Sequence, residues 1–425
     1  MRVLIANARF LLGGSETYAI TVGEQLERLG HTVALFAGEA SAEGRELADS
    51  RGFELSTGDP ATLAERDDVD ALVAQDAASA YALASRAEIP QAFVMHGFAS
   101  FEHPPQGLRP LPPVVALNDR IADRAAAFAA RPEVVRLRQP IDLWRFRPTG
   151  PARPRARRVL AFSNYIEADR LAMLESACEE LGLELTTMGA RSTTSLTPQQ
   201  RIADADIVVG YGRSILEGMV MGRAAYVWDH GGGDGWVTPG SYPALEGNGF
   251  AGAATDAMVG AERLREDFAA YRPELGALGY DLVRKHHSAA RHTEELVKLL
   301  ERAPAPRPDP ANVTVGLLVR SEARAEDDRI RTGFQLREKA EETEALRVEA
   351  EALRVEVGEL RSRLEEVGEA GEAERQRRLA AEEQLRAADA RFQALLGSAS
   401  WRLTAPVRLL IQALRGLRRP GSRRP

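Results

Sequence analysis

Cysteine is almost absent: Cys178 stands alone in 425 residues, which excludes a disulfide framework and fits a reducing compartment. No apolar stretch reaches the roughly 20 residues of a membrane-spanning helix. The start does not read as a signal peptide, because its apolar run is too short and leads directly into a domain. Several reaction motifs are missing too. The opening strand–glycine–helix unit lacks the GxGxxG of a dinucleotide fold and the GK[ST] of a P-loop. CxxC, HExxH, GxSxG and the protein-kinase set are absent. His286, His287 and His292 have no acidic partner at ligand spacing, so no metal is expected and no cofactor is implied.

What is present suffices for two globular domains and an extension, since domains run to about 100–200 residues and 44% of the chain is hydrophobic. Apolar strands alternate with helical stretches over 1–150, at residues 3–6, 32–36, 71–74, 92–95 and 114–117. The alternation returns over 158–302, at 159–162, 184–187, 207–209 and 225–228. This pattern predicts an α/β protein with two doubly wound, Rossmann-like layers. A basic, proline-containing linker (151–158) joins them, and a long helical stretch (273–300) closes the second. A proline-rich linker, 303–335, follows.

Within the first layer, the strand at 3–6 leads to Gly13 and Gly14. Ser15 and Glu16 then open a helix with Ala19, Val22, Leu26 and Leu29 at helical spacing. A glycine loop and a helix N-terminus can hold an anion with backbone N–H groups; a plain tight turn is the alternative. In the second layer, 229–239 reads DHGGGDGWVTP. Gly232 and Gly233 allow close backbone approach to a phosphate or sugar. Asp234, Trp236 and Thr238 could contact a hexose, with Trp236 stacking on its apolar face; the alternative is a surface loop. Ser214 and Glu217 have the spacing of a capping box. Arg213 brings a cation to the same helix end, as a phosphate contact or as a solvated side chain.

The rest of the chain is helical in pattern. Over 336–396, Leu346, Leu353, Leu360 and Val367 fall seven apart, and Ala350, Val357 and Leu364 sit three residues before the last three. These are a and d positions of a coiled coil and predict a homo-oligomer; a single solvated helix is the alternative. The formal net charge of −7 hides a basic end, with seven arginines and no acid from Leu396 onward. In the tail, 397–425, Leu403, Val407, Leu410, Ile411, Leu414 and Leu417 share one helical face. Arg402, Arg408, Arg415 and Arg419 flank it, and Trp401 stands at its start. That pattern predicts a helix lying on an anionic membrane surface, or docked on the protein's own body. Nucleic acid is not an expected partner, because the apolar face would have nowhere to go.

The first three hundred residues resemble the family 4 glycosyltransferases, which have the two-domain GT-B fold. The segments that carry the resemblance are, in order, the strand–GGSE–helix opening, PQAFVMHG at 90–97, VVALN at 114–118, QPIDLWRFRP at 139–148 and GRSILEGMVMGRAAYV at 212–227. The resemblance implies a retaining, metal-independent transfer from a nucleotide-diphosphate sugar to a lipid-linked or polysaccharide acceptor. It places Gly13, Gly14 and Ser15 near the diphosphate and the transferred sugar, with His96 beside that sugar. Gly212, Arg213 and Ser214 would lie at the donor, and Glu217 on its ribose hydroxyls. The tail sequence SWRLTAPVR resembles tails of envelope-polysaccharide glycosyltransferases, which implies work at the inner, cytoplasmic face of the cell membrane.

Two departures stand out. Val209 occupies the place of a second glutamate eight positions before the ribose one. SNYIEADR, 163–170, lacks the lysine of an Arg/Lys pair that holds the diphosphate; Arg170, Arg191 or Arg213 could substitute. They leave open a catalytically inactive GT-B scaffold or glycan-binding subunit, and a nucleotide-sugar epimerase of the same fold is a third reading.

Overall fold

In the computed structural model, residues 1–189, 195–255, 259–398 and 408 are described. The chain divides into two units, Met1–Ile330 and Arg331–Pro425.

The first unit contains two sheets. The first is built from β1 (Arg2–Phe10), α1 (Gly14–Arg28), β2 (Thr32–Ala40), α2 (Ala42–Asp49), β3 (Leu55–Thr57), β4 (Ala71–Ala74), α3 (Ala77–Leu83), β5 (Gln91–Met95), β6 (Val114–Ala116), α4 (Asp119–Ala126) and β7 (Val134–Arg136). Its strand order is β3-β2-β1-β4-β5-β6-β7, with every pair parallel. Continuous apolar runs suit a sheet covered on both faces. In β1, Val3 and Ile5 enter one core while Leu4 and Ala6 enter the other, all of them buried.

The second sheet is built from β8 (Arg158–Phe162), α5 (Ala168–Glu180), β9 (Glu184–Met188), α6 (Pro198–Asp204), β10 (Ile207–Gly210), α7 (Arg213–Val220), β11 (Ala224–Asp229) and β12 (Gly232–Trp236). Helices α8 (Tyr242–Gly247), α9 (Ala261–Ala269), α10 (Glu274–His286) and α11 (Ala289–Arg302) follow. The order is β12-β11-β10-β8-β9, parallel except for β12. Chain order reverses between β1 and β4 in one sheet and between β8 and β10 in the other. Such switch points leave crevices at the carboxyl ends of the strands, where ligands of α/β folds bind.

Three differences from the sequence expectation have physical reasons. The short edge strands β3 and β7 were not foreseen, since each has three residues, none of them buried. The helical stretch at 273–300 breaks at His287, where Ser288 caps α11 and Ile141 forms an isolated bridge to Ser288. Beyond that break, Leu296, Leu299 and Leu300 of α11 join the core that contains Val3 and Ile5, so the closing helix belongs to the first layer. The linker at 303–335 is also shorter than expected. Helix α12 (Ala311–Gly397) starts directly after Pro310, the last proline that could prevent it. Its first residues pack on the first layer: Asn312 Nδ2 donates to Ala84 O at 3.0 Å, and Arg320 pairs with Asp59 at 3.2 Å.

In the second unit α12 continues to Gly397, and Leu346, Leu353, Leu360 and Val367 are exposed on it. Among the described residues no helix is long and apolar enough to cross a membrane. The basic amphipathic helix expected in the tail, Arg408 apart, lies outside the described residues.

Candidate functional site

The two crevices meet in a cavity of about 440 Å³. Gly13, Gly14 and Ser15 line it from the β1–α1 turn, and Gly212, Arg213, Ser214 and Glu217 line it from the start of α7. Gly13 caps α1, and a Cβ on it would lie 2.8 Å from Glu16 Oε2. Glu16 is buried; its carboxylate takes its own N–H, that of Leu11 and the Ser15 side chain. The expected anion site at this turn is therefore partly filled by the helix's own glutamate, and desolvation raises the pKa of that carboxyl.

His96 stands at the carboxyl end of β5 and also lines the cavity. Its Nε2 hydrogen-bonds Gln75 Oε1, and Gln75 Nε2 donates to Asn7 Oδ1 at 2.8 Å, which orients the amide. The ring therefore carries its proton on Nε2. Burial, with Arg213 and His292 nearby, pushes His96 down to about 3, so it is neutral at physiological pH. Tyr18 packs edge-on against it, with centroids 5.1 Å apart.

At α7 the capping box is not formed. Gly212 is the N-cap, with φ of 59°, a left-handed value that favours glycine. Ser214 Oγ instead accepts from Tyr211 N and donates to Tyr211 O. Glu217 pairs with Arg213 at 2.8 Å, and both side chains are at least nine-tenths buried. Arg213 also donates to Pro140 O at 2.8 Å and to Thr21 Oγ1 at 3.2 Å. It is thus not a solvated side chain; three of its N–H groups tie the two layers and α7 together. His292 and His287 act beside it, donating from Nδ1 to Arg138 O and Gln139 O at 2.9 and 2.8 Å. Three consecutive carbonyls between the layers are held by buried side chains.

The candidate sugar contacts are not brought to the cavity. Gly232, Gly233, Asp234 and Trp236 belong to β12, the antiparallel edge of the second sheet, and none lines the cavity. Asp234 is occupied by the N–H groups of Ala254 and Thr255. Trp236 packs edge-on against Tyr226 at 4.9 Å and donates to Asp267 O at 3.2 Å. The glycines serve close packing: a Cβ on Gly232 would lie 2.3 Å from Gly252 O. Val209 points into the second-sheet core beside Trp228 and lies away from the cavity. Arg170 lies over the Trp228 ring and is not part of the wall, and Arg191 is outside the described residues.

The wall also contains residues that motif reading did not single out: Arg120 of α4, Arg145 of the inter-layer segment and Glu102 after β5. The Nε atoms of Arg120 and Arg145 are buried without a hydrogen-bond partner. Burial, with Arg51 and Arg213 near, pushes Arg145 down to about 10, so it remains a cation. A signal was available for Arg120 alone, which opens the helix after β6, where parallel sheets place ligands; Arg145 and Glu102 lie well past the nearest strand.

No protein-family model and no curated protein sequence matches the chain. Solved structures do. A glycosyltransferase from Rickettsia africae ESF-5 aligns with a TM-score of 0.51 at 13% identity, covering 71% of this chain and 97% of that one. An alpha-glucosyltransferase solved with UDP and a 13-mer DNA aligns with a TM-score of 0.50 at 11% identity, covering 71% and 100%. The chain thus shares the two-layer GT-B fold of glycosyltransferases.

Proposed function

We propose that the chain is a glycosyltransferase that takes a sugar from a nucleotide-diphosphate donor. The observation that carries this reading is the shared cavity, which gathers the N-terminal ends of α1 and α7 with two arginines whose Nε atoms lack partners. A diphosphate bears negative charge that grows as the sugar departs, and fixed N–H dipoles with guanidinium groups stabilise that growth. Arg145 and Arg120 take the part of the missing lysine. Glu217, with Oε1 held by Arg213, offers Oε2 to a ribose hydroxyl, and neutral His96 offers Nδ1 to the sugar as an acceptor.

The transfer is read as retaining and metal-independent, of a hexose, with the family 4 pattern. A lipid-linked or polysaccharide acceptor of the cell envelope fits the basic tail, which would hold the enzyme at the inner face of the membrane. The heptad face of α12 would assemble copies of the chain. An inactive scaffold is the rival reading, favoured by the buried Val209.

The test is a thermal-shift screen of UDP-, GDP-, ADP- and dTDP-sugars. A ligand at a hundred times its Kd adds about 2.7 kcal/mol of stability. One nucleotide class should raise the melting temperature, and sugar release should follow. A flat response to all four rejects the donor site; binding without turnover favours the scaffold.

A further inference from the structure

Three carboxylates line the cavity, Glu102, Glu217 and Glu246. Two are committed to cations: Glu217 to Arg213 at 2.8 Å, and Glu246 to Arg136 at 2.6 Å and Arg138 at 3.3 Å. Glu102 forms no ion pair among the described residues and accepts one backbone hydrogen bond, from Ala99 N at 3.2 Å. It closes the short 3-10 turn Ser100–Glu102, on the same wall as His96. Gly97 makes room for it, since a Cβ there would lie 2.5 Å from Glu102 Oε2. One carboxylate oxygen is thus left to the cavity, on the first-layer side.

We propose that Glu102 accepts the proton of the acceptor's attacking hydroxyl, an assignment that rests on the glycosyltransferase reading above. The O–H bond breaks and its proton goes to the Glu102 carboxylate. The acceptor oxygen bonds to the anomeric carbon. The bond from that carbon to the β-phosphate oxygen breaks, and its electron pair leaves with the diphosphate. Glu102 then returns the proton to solvent. The step has the same balance for attack from either face of the sugar.

The surroundings of Glu102 suit this work. Burial, aided by the charges of Glu16 on α1 and Glu326 on α12 and opposed by Arg9 on β1, pushes it up to about 7. Tyr165 and Tyr211 face it from the second sheet, and burial raises both phenols, so they stay neutral there. Glu326 is held in place by the N–H and hydroxyl of Ser100, two residues from Glu102, and His103 lies near it. A base that titrates near neutrality transfers protons efficiently at physiological pH.

The experiment uses the full chain with UDP-glucose and UDP-N-acetylglucosamine as donors and glycerol as acceptor, and follows UDP release against pH. Wild-type release should rise with pH about a midpoint near 7. Glu102→Gln should lower release about a hundredfold above the midpoint and flatten the profile, with UDP affinity within about threefold of wild type. Glu326→Gln, which can still accept from Ser100, should move the midpoint to lower pH. A Glu102→Gln profile that keeps the wild-type rise overturns the assignment, as does an unmoved midpoint in Glu326→Gln. Loss of UDP binding in Glu102→Gln would make the residue structural and overturn it too. A wild-type chain that binds UDP but releases none from either donor overturns the assignment and favours the inactive scaffold; one that binds none of the four nucleotide classes refutes the glycosyltransferase reading itself.

Discussion

Arg213 Nε donates to Glu217 Oε1 at 2.8 Å, one turn along α7, and the same guanidinium reaches Thr21 on α1. A buried pair of this kind gains little over an apolar replacement, yet breaking it leaves an uncompensated charge. Arg213→Met and Glu217→Leu should therefore each cost about 3–5 kcal/mol. The double variant Arg213→Met, Glu217→Leu should recover much of that loss. Urea denaturation of the four proteins forms a double-mutant cycle. Additive losses would mean that the two residues do not act as a pair.

Arg145 lines the cavity with a donor to spare. Its Nη2 is used by Leu196 O at 2.8 Å, while its buried Nε has no partner. Hydrogen bonds to charged groups contribute about 1.5–3 kcal/mol. Arg145→Met should thus weaken UDP binding roughly tenfold to a hundredfold, with a much smaller effect on uridine, which lacks the phosphates. Calorimetric titration of both ligands decides it. Equal weakening of the two would move Arg145 away from the diphosphate.

Trp236 tests the corrected placement of β12. Its ring packs on Tyr226 and Phe268, and its Nε1 bonds to Asp267 O. Trp236→Ala should cost about 3 kcal/mol of stability and leave nucleotide affinity unchanged at a temperature where the variant is folded. A sugar-dependent loss of affinity would return Trp236 to the site.

How much of this was legible in the sequence follows from what each residue touches. The central strands could be read directly, because Val3 to Ala6 and Ile207 to Val209 are buried on both faces and must be apolar. Gly13 and His96 were legible as strand-end residues. The roles of Arg213 and Trp236 were not, since each depends on a partner far off in sequence. Arg213 meets Thr21, 192 positions away in sequence, and Trp236 meets Asp267, 31 positions away. Glu102 was invisible for a related reason: what distinguishes it is the commitment of Glu217 and Glu246 to arginines, and only the fold brings those together.

His287 and His292 give the segment between the layers a pH dependence. Burial pushes them down to about 3 and about 4, below the ordinary value near 6.5. As pH falls the unfolded chain therefore binds protons first. Stability that is full above pH 6.5 is lost on acidification, at about 1.4 kcal/mol per pH unit for each ring. His292→Gln should be less stable than wild type at pH 8, yet fall less steeply between pH 6.5 and 4.5. Glu16 and Glu102, raised by burial, act with the opposite sign in both proteins and cancel in the difference. Denaturant midpoints across that range provide the measurement; parallel curves would mean that His292 is charged in the folded state.

The heptad face of α12 yields the last expectation. Leu353 and Leu360 are exposed on the helix, along with Leu346, Val357, Leu364 and Val367. Their seven-residue spacing would bring every one onto a single seam in a partner helix's groove. Burying one leucine contributes about 1.5–3 kcal/mol, so several per chain can outweigh the cost of association. Wild-type protein should sediment as an oligomer whose mass falls on dilution. Leu353→Glu with Leu360→Glu would put two like charges per chain against their copies and should return a monomer, with UDP binding intact. A wild-type chain that sediments as a monomer at every concentration tested would assign the leucine face to a different partner, or to water.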